Sequence, residues 1–66
     1  MTVQEAISAW NRLAARLALT PPIAADDFKK LAAVWLAVRE SDDPAAVVLR
    51  EEMRRLPLEV QSDIGM

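Results

Sequence analysis

The stretch LAAVWLAV, residues 31–38, decides how this chain folds: eight consecutive apolar residues between Lys29-Lys30 and Arg39-Glu40, in a sequence of only 66. It is far too short to cross a bilayer, which takes about 20 such residues. It holds three alanines and two leucines, and no Gly or Pro interrupts it, so it reads as the middle of a helix. Phe28, Leu31, Val34, Trp35 and Val38 recur at three- and four-residue steps and form one stripe. Leu36 lies about 140° round the helix from Leu31 and cannot share that face, while Ala32, Ala33 and Ala37 sit beside or near it. The helix therefore carries a second apolar surface, lined by small side chains, where another backbone can approach closely. A helix apolar nearly all round is a central one.

Working outward, Pro21-Pro22, Pro44 and Pro57 punctuate the chain into helical segments, since proline ends a helix and disfavours it at the preceding residue. No alternating run long enough for a strand and no Asn-Gly or Asp-Gly turn is present. The spacing predicts helices over about 3–19, 26–40 and 44–56, followed by a tail, 57–66. The fold class is all-α, a three-helix bundle, with the tail either a short fourth helix or a mobile segment.

The first helix opens with Thr2 and Glu5 at capping-box spacing. Val3, Ile7, Trp10, Leu13, Ala14 and Leu17 form its apolar stripe, with Gln4, Glu5, Ser8, Asn11, Arg12 and Arg16 opposite. Asp26 suits an N-cap or first-turn position at the start of the second helix, which should end at Glu40 or Ser41. The third starts with Asp43 as N-cap and Pro44 at its first helical position. Ala45, Ala46, Leu49, Met53 and Leu56 share a face, Glu51 and Arg55 are spaced for an ion pair, and Val47 projects away from Leu56 as a lone exposed valine.

Composition bounds the chemistry. The chain has no Cys and no His, which removes the thiolate nucleophile, the commonest general base and the usual zinc ligands together. Ser8, Ser41 and Ser62 have no imidazole to activate them, and the single glycine, Gly65, cannot form a phosphate-cradling loop. The acid pairs Asp26-Asp27 and Asp42-Asp43 stand at helix starts, where capping accounts for them. No enzyme, cofactor, metal or small-molecule substrate is expected.

A net charge of −2 and a pI of about 4.9 argue against nucleic acid or an anionic membrane as partner. The counter-reading is a DNA-binding regulator of helix-turn-helix type, with Arg50, Arg54 and Arg55 as the groove-facing residues. Against it, Glu51 and Glu52 interrupt the bases, and the turn before the helix lacks the usual glycine. A cytoplasmic setting is expected, from the absence of Cys and of a secretory signal. Arg outnumbers Lys and Ala is abundant, a GC-rich signature pointing to a bacterial or phage origin.

A chain this size buries only about 60% of the surface its unfolded state exposes, and neither disulfides nor zinc are available to supplement that core. Apolar residues nevertheless exceed what one stripe per helix uses: Leu36 with Ala32, Ala33 and Ala37, then Val47, Leu19, Ile23, Leu58, Val60 and Ile64. This surplus predicts a protein–protein interaction module, acting as a homodimer, adaptor, subunit or modulator of a larger protein. Its contact surface is expected at Ala32, Ala33, Leu36, Ala37 and Val47. Trp10 and Trp35 sit at stripe positions and read first as core; either could instead anchor a partner. The competing placement for Leu36 is beneath the tail, under Leu58, Val60 or Ile64.

Overall fold

The computed structural model describes residues 1–16 and 23–66 and contains four helices: α1 (Val3–Arg16), α2 (Ala25–Val38), α3 (Pro44–Met53) and α4 (Leu58–Asp63). Among the described residues there is no strand. The proposed end of the first helix at Leu19, the stripe position Leu17 and the break at Pro21-Pro22 lie outside the described residues.

Two of the helices, α1 and α3, begin where a side chain caps a backbone donor. At α1, Glu5 N–H donates to the Thr2 hydroxyl at 3.2 Å and Thr2 N–H to Glu5 Oε1 at 3.1 Å, completing the capping box. At α3, Ala45 N–H donates to Asp43 Oδ1 at 2.9 Å, with Pro44 at the first helical position. At the start of α2, Asp26 takes the second of its two expected positions, the first turn and not the N-cap. The N-cap of α2 is Ala24, which has no side chain to cap with, and Asp26 and Asp27 occupy the first turn, where their charge still favours the helix dipole.

Two helix ends are earlier than the spacing predicts. The second stops at Val38, with Arg39 and Glu40 continuing as a turn. The third stops at Met53 and not at Leu56. Arg55 N–H and Leu56 N–H donate to Glu52 and Met53 carbonyls three residues back, both at 3.1 Å, so the last turn tightens. Pro57 supplies the reason, because it disfavours helical backbone at Leu56.

The tail resolves as a helix. Its end is a Schellman motif: Met66 N–H donates to the Gln61 carbonyl at 2.9 Å and Gly65 N–H to that of Ser62 at 3.2 Å, with Gly65 at φ +88°. The Gln61 amide reaches back to the Arg54 and Leu56 carbonyls, at 2.9 and 2.7 Å, and ties α4 to the end of α3.

One core joins all four helices: Ala6, Trp10 and Leu13 from α1; Leu31, Val34 and Val38 from α2; Ala46, Leu49 and Met53 from α3; then Leu56, Val60 and Ile64. Ala14, expected on the buried stripe, is exposed, while Ala6 is fully buried. Ala6, Trp10 and Leu13 fall within about 60° on the helix, and Ala14 lies beyond that sector with a side chain too short to reach back. Val60 and Ile64 enter this core and leave Leu36 uncovered, which overturns the placement of Leu36 beneath the tail.

Candidate protein-contact surface

Because Leu31, Val34 and Val38 hold one side of α2 against the core, the helical period turns Leu36 outward, where it is 63% exposed. Ala33 and Ala37 beside it are half-buried. Together with Met1 they line a shallow depression of about 280 Å³, so the N-terminus of α1 forms one wall of the Leu36 surface. Ala32 is partly buried and packs against the core, at the margin of this surface. Lys29 and Glu40 flank it, both exposed.

Val47 is exposed on α3 but does not line this depression. Its neighbour Val48 is exposed too, at 59%, so Val47 is not a lone exposed valine. Val48 belongs to a different hollow between α1 and α3, about 320 Å³, bordered by Ile7, Asn11 and Ala45 over Trp10 and Leu49, with Glu52 at its edge. The sequence reading passed over Val48; its place next to Val47, off the Leu49 stripe, was the available signal.

The two tryptophans divide. Trp10 is in the core, and its indole N–H donates to Glu52 Oε2 at 2.7 Å. Trp35 is half-buried, packed against the core with part of its surface open, and is the more accessible of the two.

Arg50 is drawn inward. Its Nη1 donates to the carbonyls of Val38 and Ser41 at 2.6 and 2.7 Å, closing the C-terminal end of α2. The Val38 carbonyl lies at the negative end of the α2 dipole, which a guanidinium satisfies well, and the Ser41 carbonyl belongs to the turn that follows. Arg54 pairs with Glu51 at 3.8 Å, both well exposed, in place of the expected Glu51–Arg55 pair. Arg55 is exposed. The three arginines therefore do not present a common cationic face.

The acid pairs also separate. Asp43 caps α3 and Asp42 is exposed beside it, while in the first turn of α2 Asp26 is exposed and Asp27 buried. Glu5 has its carboxyl held below the ordinary 4.5, first by the Thr2 backbone N–H and then by the Thr2 side chain. Among the described residues no three acids cluster as a metal site requires, and no helix is long and apolar enough to cross a membrane. Compared with models of known protein families, with curated proteins and with solved structures, the chain matches none.

Proposed function

We propose that this chain is a protein–protein interaction module, with the Leu36 side of α2 as its contact surface and no catalytic role of its own. The observation that carries this reading is Leu36 itself, a large apolar residue 63% exposed in the last turn of the most apolar of the three longer helices. Single exposed apolar residues are ordinary. Here Met1, also exposed, and two half-buried alanines extend the surface, and exposed apolar patches rimmed by charge are characteristic of contact sites. The absence of His and Cys supports a binding role over a chemical one. The absence of Cys also suits work in the cytoplasm, as a dimer or as a subunit or modulator of a larger assembly. Support for the helix-turn-helix alternative is weak, because Arg50 is engaged at the end of α2 and the acids Glu51 and Glu52 interrupt the three arginines.

The test is photo-crosslinking in the cells that make the protein, with benzoylphenylalanine at position 36 and, as control, at Asp63, exposed on α4. Specific adducts from position 36, absent from position 63, are expected. Equal or absent adducts at both positions would overturn the assignment.

A further inference from the structure

Although α2 ends at Val38, Arg39 keeps right-handed helical backbone at φ −61° and ψ −31°, so with about 100° per residue Lys29, Ala33, Leu36 and Glu40 fall within one sector about 60° wide. Their four-three-four spacing is that of a helix–helix seam. Lys29, Leu36 and Glu40 are exposed and Ala33 is half-buried, so the seam has charged ends of opposite sign and a dry middle made of one large and one small residue.

We propose that the occupant of this seam is a second copy of the chain, packed antiparallel, α2 against α2, about a two-fold axis level with Val34 and Trp35. This rests on reading the Leu36 side as a contact surface, and it names the partner. In an isologous pair every contact occurs twice. Setting Lys29 opposite the partner's Glu40 also sets Leu36 opposite the partner's Ala33, because both pairs of numbers have the same midpoint. One register thus satisfies charge and size together: each leucine lies over a small residue, and each end of the seam holds a cation against a carboxylate.

The charges choose between orientations. Lys29 and Glu40 of one chain stand about 16 Å apart along the helix axis, too far to pair with each other. A parallel copy would set Lys29 beside Lys29 and Glu40 beside Glu40, and like charges across a seam select against that arrangement. Glu40 does have a neighbour in its own chain, Arg39 at 3.7 Å, but both side chains are well exposed, and such surface pairs hold a carboxylate weakly. Met1 and Ala37 extend the apolar area on one side. A standard interface buries about 800 Å² per partner, roughly a fifth of the 4292 Å² surface of this chain. A single-helix seam is smaller, in the size class of weak, transient contacts.

Sedimentation equilibrium from about 10 μM to about 1 mM tests this, with circular dichroism confirming that each variant stays folded. The wild type is expected to show a reversible monomer–dimer equilibrium, and Leu36→Glu to be monomeric. Lys29→Glu and Glu40→Lys are each expected to weaken the dimer by about tenfold, and the double reversal to restore it. A wild type still monomeric at the highest concentration, or a double reversal as weak as the single ones, overturns the proposal. If the chain is monomeric while position 36 crosslinks to a different protein, the self-association fails and the contact-surface reading stands.

Discussion

The indole of Trp10 and the carboxylate of Glu52, 42 residues apart in sequence, meet at 2.7 Å and join α1 to α3. Trp10 is 6% exposed, so its N–H depends on this acceptor, and a buried donor without a partner costs about 1–3 kcal/mol. Glu52→Ala is expected to lower stability by about 2 kcal/mol, and Glu52→Gln, which keeps an acceptor, by less. In the Trp10→Phe background the loss at position 52 should shrink, a coupling that urea denaturation of the double-mutant cycle measures. Additive losses would show that the hydrogen bond contributes nothing.

Arg50 links the end of α2 to α3 through two backbone carbonyls. Replacing it with Met keeps the apolar stem and removes the donors, so a loss of about 2 kcal/mol in chemical denaturation is expected, as for hydrogen bonds from charged groups. Arg50→Lys should recover part of it. An unchanged midpoint for Arg50→Met would mean that water serves those carbonyls equally well.

The parts legible in the sequence were those set by local rules. Thr2 with Glu5 and Asp43 with Pro44 are caps whose partners lie within three residues, and both form as their spacing implies. Leu31, Val34 and Val38 are buried because the helical period alone aligns them. What escaped depends on the crossing of helices. Nothing local distinguishes Arg50 and Glu52, which bond to other helices, from Glu51, which pairs with Arg54 three residues on, or from the exposed Arg55. Ala6 is buried and Ala14 exposed because the centre of the α1 contact lies about 40° from the middle of the apolar stripe, an offset set by its neighbours. Val60 and Ile64 have helical spacing, but only the core they enter decides between helix and loose tail. The outward position of Leu36 followed directly from its angle to Leu31; its openness depended on where the tail packs.

Gly65 closes α4 at φ +88°, and a β-carbon there would meet no atom within 4 Å. Gly65→Ala therefore loses stability through backbone strain alone, about 1 kcal/mol. Thermal unfolding should show the loss, while Leu36-dependent association is unaffected. A neutral substitution would mean that the Schellman end frays without consequence.

Glu5 accepts the Thr2 N–H in its charged form, and its carboxyl is held below 4.5. A carboxyl lowered in the folded state adds stability above its ordinary value and loses that contribution as pH falls through the lowered one. Wild type should melt above Glu5→Gln at pH 7 (about neutral), and the gap should close on acidification below 4.5. A gap independent of pH would show that the charge plays no part in the cap.

Disulfide trapping addresses the antiparallel α2 contact most directly, because a chain without Cys reports only the thiols placed in it. Chains carrying Lys29→Cys and chains carrying Glu40→Cys are oxidised separately and mixed, at concentrations where the wild type dimerises. A disulfide forms only where the two α-carbons approach within about 7 Å. The mixture is expected to give the Lys29→Cys/Glu40→Cys hybrid, and each variant alone to give little product. Efficient crosslinking of either variant to itself, with no preference for the hybrid, would contradict the antiparallel register.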